Sequence, residues 1–214
     1  MRYAIFSDVH NHTAALAAVL RHAQQQGVDG YYCLGDVGID ECVELTRSVN
    51  AAAVFGNWEV TNWQRLSPKN RGWALSLPPQ RKMARFWLTH AAPFWPEALT
   101  SLNDVIASRH ELAFDRLFPY LHRETEDLWD SIATLTEAGI PLMFHGHTHR
   151  QLIWRFTANN QLQNSIQSRI TIETGDTLII GVGSVGQPLD GPSSYVIYDD
   201  EVQEVELVRV TGNF

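Results

Sequence analysis

The chain carries nine histidines, and they are not evenly spread. His145, His147 and His149 fall in one run, and His10 and His12 lie two apart after Asp8. On extended backbone, residues i and i+2 face the same side. Asp8 with His10 is therefore expected to aim at one point, and so is His147 with His149. A lone histidine is ordinarily a packed or surface residue with a hydrogen-bond partner, and His22, His110 and His122 are read that way. The paired residues sit at predicted strand ends, His147 directly after Gly146, where packing explains them poorly. Asp36 follows Gly35, Asn57 follows Gly56, and His90 follows Leu88-Thr89. Taken alone, Asp36 reads as a helix N-cap and Asn57 as a turn residue. Together, Asp8, His10, Asp36, Asn57, His90, His147 and His149 form a set of oxygen and nitrogen donors. Imidazole with carboxylate and carbonyl oxygen suits manganese, iron, zinc or nickel better than magnesium alone.

Elements able to position these donors are legible in the pattern. Tyr3–Phe6, Tyr31–Leu34 and Ala51–Phe55 read as short buried strands. Between them, Leu16, Val19, Leu20 and Ala23, then Cys42, Leu45, Thr46 and Val49, give helical stripes. Asn11 or Thr13 is expected to cap the first helix, and Gly27 to end it. This is βαβαβ, a parallel sheet with helical crossovers, whose ligands gather beyond the carboxyl ends of the strands. Met83–Thr89 reads as a strand delivering His90. Leu99–Ala138 reads as helical, with a stripe at Leu128, Ile132 and Leu135 closed by Gly139 and Pro141. Leu142–Phe144 is a further strand. After it, Gln151–Phe156, Ile170–Thr174, Thr177–Val182, Ser194–Tyr198 and Val202–Val210 read as mostly antiparallel strands, with 159–167 as a loop.

Five motifs stand in order from Asp8 to His149: D-V-H at 8–10, G-D at 35–36, G-N-W-E at 56–59, L-T-H at 88–90 and G-H-T-H at 146–149. In order and spacing they resemble the calcineurin-like metallophosphoesterase superfamily. G-S-V-G-Q-P at 183–188 further resembles its small prokaryotic branch, related to diadenosine tetraphosphatases and protein phosphatases. The resemblance implies an α/β fold, a four-layer αββα sandwich in one domain over 1–214, with a helical insertion around 99–138 and a C-terminal antiparallel section. It implies two divalent transition-metal ions, manganese first, with iron, zinc, nickel or cobalt as the others. Asp8, His10, Asp36 and His149 would surround one ion; Asp36, Asn57, His90 and His147 the other. Asp36, Asn57 and His90 would also be catalytic. The implied reaction is hydrolysis of phosphodiesters or activated phosphate esters by a hydroxide bridging the metals. A nucleoside polyphosphate hydrolase or protein phosphatase is the second reading. A non-catalytic metal-binding scaffold is the third, and the intact donor set stands against it.

Composition narrows the class. Of 214 residues, 44% are hydrophobic and 19% charged, which excludes disorder, collagen-like repeats and coiled coil. No apolar run approaches the ~20 residues of a membrane helix. The early Asp8 argues against a signal peptide, and only Cys33 and Cys42 are present, so a reducing, cytoplasmic setting is expected. With 16 basic and 24 acidic residues the net charge is −8, a poor match to long nucleic acid. The expected partner is a small phosphorylated substrate, with a nucleotide as one candidate. The segment Val60–Pro96 holds Arg65, Lys69, Arg71, Arg81, Lys82 and Arg85 and no acidic residue. With Trp63, Trp73, Trp87, Phe94 and Trp95 it reads either as a phosphate- and base-binding segment or as a solvated loop over a local aromatic core. Arg150, directly after the histidine run, is the single residue best placed for a substrate phosphate.

One position departs from the family. A histidine usually follows the motif asparagine, where it binds phosphate and protonates the leaving group; here it is Trp58. An indole N–H donates a hydrogen bond but supplies no proton near neutral pH, so Trp58 is expected at the substrate without that role. His12 is the nearest substitute in sequence. General-acid help is worth about 100–10,000-fold. A plot of log kcat against leaving-group pKa is therefore expected to be steep, with nitrophenyl diesters hydrolysed well and alkyl monoesters lagging. Trp58→His is expected to flatten it.

Overall fold

The computed structural model describes residues 1–110 and 112–212. Its first sheet holds β1 (Arg2–Phe6), β2 (Gly30–Cys33), β3 (Ala52–Ala53), β9 (Arg169–Thr171), β11 (Ser193–Asp199) and β12 (Glu204–Val210), in the order β3-β2-β1-β11-β12-β9. Strands β1, β2 and β3 are parallel, and β11 runs antiparallel to β1. The second sheet holds β4 (Gln80–Lys82), β5 (Trp87–Thr89), β6 (Leu142–His145), β7 (Gln151–Phe156), β8 (Leu162–Ser165) and β10 (Thr177–Val182), in the order β4-β5-β6-β10-β7-β8. Here β5, β6 and β10 are parallel and the outer strands antiparallel.

The two-residue period of a strand sorts side chains into three apolar layers. Ala4, Phe6, Tyr195 and Ile197 pack with Leu16, Val19, Leu20 and Ala23 of α1 (Thr13–Gln25). Ile5, Val196, Tyr198 and Val205 face the other way, onto Leu142, Phe144, Ile153, Leu178 and Ile180 of the second sheet. Beyond that sheet, Met143, Leu152, Trp154 and Ile179 pack against Leu128, Ile132 and Leu135 of α7 (Glu126–Glu137). The result is the expected helix–sheet–sheet–helix sandwich. Thr125 accepts from Leu128 N to cap α7, and Gly27 and Gly139 end α1 and α7 with φ of +68° and +66°. No helix among the described residues is long and apolar enough to cross a membrane.

Several local readings are corrected. Helix α1 has His12 at its N-cap, with no side-chain cap from Asn11 or Thr13. Strand β3 is two residues long, because the chain leaves the ladder early to reach Asn57. Met83–Thr89 is not one strand: Met83 N bonds Phe86 O in the turn of a β4–β5 hairpin. Leu99–Ala138 is not one helical stretch but α5 (Leu102–Ala107), α6 (Phe114–Leu117) and α7, with Pro119 among the breaks. The stretch 159–167 contains β8, whose side chains are too polar to show a strand pattern and which pairs with β7 at the sheet edge.

Phe144 is fully buried between the sheets, its ring edge-on to Phe86 and tilted against Tyr198. Phe144→Ala is expected to cost about 3–5 kcal/mol, read as a lower urea midpoint at unchanged m-value.

Candidate metal centre

The donors converge because strands of both sheets end at one edge. Asp8 N bonds Gly35 O, Val9 N and His10 N bond Asp36 O, and Gly146 N bonds His90 O. The convergence does not use extended backbone. Asp8, His10, Asp36, His147 and His149 have φ of 55°, 46°, 54°, 63° and 55°. Such left-handed residues cost about 1–3 kcal/mol each and cluster at functional sites. The conformation also separates His147 from His149, which the extended reading had aimed at one point. Close approach explains two glycines. A Cβ on Gly56 would lie 2.2 Å from Asp36 Oδ1, and one on Gly146 would lie 2.0 Å from Ser7 Oγ and 2.6 Å from Asp8 Oδ2.

Asp8, His10 and His149 offer atoms within 4.8 Å of one another, and so do Asp8, Asp36 and His90. His149 Nδ1 lies 2.8 Å from Gln187 O, and His90 Nδ1 2.7 Å from Leu34 O. Each Nδ1 is therefore the donor, which leaves Nε2 with its lone pair inward. His149 Nε2 meets Asp8 Oδ1 at 3.2 Å and His10 Nε2 at 3.1 Å. His90 Nε2 meets Asn57 Oδ1 at 2.9 Å. Asp36 Oδ2 lies 3.5 Å from His10 Nε2 and 3.6 Å from His90 Nε2, between the two groups. Asp8 Oδ1 has no hydrogen-bond partner among the described residues. Acceptors facing acceptors at these distances need a cation, or a proton on a ring, between them.

The charges say the same. Asp8 and Asp36 are 0% and 1% exposed. Burial pushes Asp8 up, but the His10 and His149 rings against it hold its carboxyl well below the usual range. Burial and the Asp8 charge push Asp36 up, against the pull of His90 and His10. Two divalent cations would let both carboxylates stay ionised. Burial, then the His90 charge, pushes the His147 ring down to about 3, so it stays neutral with a lone pair free.

The family model for the calcineurin-like phosphoesterase superfamily domain matches residues 1–203. The chain belongs to that superfamily. It is 29% identical to an uncharacterised protein of Methanocaldococcus jannaschii over 97% of this chain and 86% of that one. It also resembles the crystal structure of a metallophosphoesterase from Sphaerobacter thermophilus, with 28% identity, a TM-score of 0.73, and coverage of 100% of this chain and 90% of that one. Vps29 of Entamoeba histolytica, solved in complex with zinc, shares the fold at 14% identity and a TM-score of 0.53, over 98% of each chain.

The His147 ring stacks on Tyr120 at 4.2 Å between centroids and lies 5.1 Å from that of His90. Trp58 is half-buried beside Asn57, and its backbone N–H donates to Asp36 Oδ1 at 2.8 Å. Arg150 is exposed, its Nη1 3.5 Å from Leu189 O. His12 is exposed and lies against Gly186. In the basic segment, Arg71 bonds Gln64 O and Leu66 O, Arg81 bonds Ala53 O, and Lys82 sits over the Trp87 ring. Lys82 pairs with Trp87 at the start of β5, the end away from His90. These three serve their own chain, as the local-core reading expects.

Sequence reasoning missed the groups that orient the donors. The 183–188 motif grips the first loop: Ser184 Oγ and Gly186 N both bond Asp8 O, and Gln187 O holds His149. Backbone carbonyls leave no side-chain signal. Glu59, the last residue of the G-N-W-E motif, is another such group. It is 1% exposed and accepts from Asp36 N, Val37 N and Gly56 N at 2.8 Å each. Burial and the Asp36 charge push its carboxyl up to about 7, against the pull of those three amides. Glu59→Gln must turn an amide NH2 toward at least one of the three N–H groups. The expected cost is about 1–3 kcal/mol, measured by urea denaturation, with a larger loss of metal affinity than the stability change alone accounts for.

Proposed function

We propose that this chain is a dinuclear metal-dependent phosphoesterase acting on phosphodiesters or activated phosphate esters. The observation that carries the proposal is the inward convergence of acceptors, His149 Nε2 against Asp8 Oδ1 and His10 Nε2 and His90 Nε2 against Asn57 Oδ1. In this reading Asp8, His10, Asp36 and His149 hold one ion, and Asp36, Asn57, His90 and His147 the other. Manganese is the first choice. Two such ions lower the pKa of a shared water and offset the charge of an in-line displacement at phosphorus.

The rest falls to the protein. Asp36 presents Oδ2 between both donor groups while the Trp58 N–H holds Oδ1, so its carboxylate plane is fixed. The carbonyls of Leu34 and Gln187 fix the tautomers of His90 and His149. Asn57, at the start of α3 (Asn57–Asn62), and the exposed Arg150, next in sequence to His149, are the residues assigned here to a substrate phosphate. Trp58 replaces the usual acid, which favours substrates whose leaving group departs without a proton. A role for 183–188 in choosing nucleoside polyphosphates or phosphoproteins is the weaker reading, because its polar groups are spent on Asp8 and His149. The proposal treats 1–214 as one domain. It places the protein in the cytoplasm, in keeping with free, buried Cys33 and Cys42.

Elemental analysis of metal-replete protein is expected to find two transition-metal ions per chain. Asp36→Asn and His147→Ala should each lower both metal content and hydrolysis of a nitrophenyl diester, Asp36→Asn the more. A metal content of zero would sink the proposal.

A further inference from the structure

Beside the donor cluster lies a cavity of about 470 Å³. Asn57 and His147 form its inner wall, Phe118 an apolar side, and Arg116, Tyr120 and Asp127 carry the polar groups of the rest. Its size is that of a site for a small organic ligand, about 300–1,000 Å³. Tyr120 is 56% exposed, although one ring face is stacked on His147 at an interplanar angle of 25°. A large aromatic ring held parallel to a buried neighbour, and this open to solvent, is a stacking surface. Arg116, at the end of α6, is exposed and supplies a cation. Asp127, in the first turn of α7, supplies an acceptor.

We propose that this cavity binds the nucleoside part of a nucleotide diester: the base stacks on Tyr120, its N–H edge faces Asp127, and a further phosphate meets Arg116. The proposal rests on the phosphoesterase reading of the adjoining cluster. Asn57 and His147 belong to both sites, so a nucleoside on Tyr120 would carry its ester phosphate to the donors. Plain aryl groups use the ring but have no N–H for Asp127. A long nucleic acid is disfavoured by the net charge of −8.

The test compares diesters with one leaving group. Methyl p-nitrophenyl phosphate, phenyl p-nitrophenyl phosphate and thymidine 5′-(p-nitrophenyl phosphate) ask the same chemistry of the metal-loaded enzyme. Stacking on one aromatic side chain is worth about 5- to 150-fold, so kcat/KM for the thymidine ester should exceed that for the methyl ester by a factor in that range. Because Tyr120 touches His147, the readout is the ratio, which cancels any damage to the metal centre. Tyr120→Ala should bring the ratio near one, and Tyr120→Phe should keep it. Arg116→Gln should remove the extra gain seen when the thymidine carries a 3′-phosphate. Calorimetry should find thymidine 5′-monophosphate bound at least fivefold more weakly by Tyr120→Ala. A wild-type ratio near one, a phenyl ester as good as the thymidine ester, or a ratio untouched by Tyr120→Ala overturns the nucleoside site. Absence of turnover on every diester, with Tyr120-dependent nucleotide binding intact, supports the nucleoside site and sinks the phosphoesterase reading instead.

Discussion

Asp8 and Asp36 are carboxylates almost wholly removed from water, one at the end of each of two neighbouring parallel strands. A buried charge is costly unless paired, and two like charges side by side are worse. The imidazoles of His10, His90 and His149 crowd the same space, each turned inward. Such an arrangement cannot be stable as a set of neutral acceptors. It demands positive charge, and the surrounding structure keeps that demand in place. Protons on the rings would satisfy it partially; metal cations would satisfy it with both carboxylates ionised.

Holding unfavourable neighbours together requires a stiff frame. Two mixed sheets supply it, because both place the carboxyl ends of central parallel strands at one edge. The loops beyond those ends are short and left-handed at five of the donor positions. Hydrogen bonds offset their strain. Glu59 ties the loops after β2 and β3 through three amides, and Ser184 with Gly186 ties the loop after β1 to the far end of the chain. Residues from 8 to 187 are thus fastened to one another around one cluster of mutually repelling acceptors.

This division explains what was legible in the sequence. The strands β1, β2, β6 and β10 and the helices α1 and α7 follow from apolar periodicity, because each buries a face in one of three continuous layers. The donor set follows from residue type, since Asp, His and Asn gathered at strand ends have few structural uses. How the donors converge does not follow. Alternation along a strand suggested that His147 and His149 point together, whereas positive φ sends them to different neighbours. Polar β8 and the broken helices between Leu99 and Ala138 escaped because edge strands and short helices carry little periodic burial. Tyr120 escaped for a related reason: an exposed aromatic residue gains meaning only from what lies beneath it, and His147 is far away in sequence.

Trp58 shows how frame and chemistry can be separated at one position. Its backbone N–H orients Asp36 Oδ1, a contact any residue but proline can make. Its side chain stands at the sequence position where the family ordinarily has a proton-handling histidine, a role an indole cannot take. The frame is therefore indifferent to the substitution, and Glu59 keeps its three amides whatever stands beside it. On the proposed chemistry, what would change is which esters can leave unaided. A centre that lacks this proton donor yet retains its buried acceptors would still hold cations and phosphate, and its selectivity would pass to leaving-group chemistry.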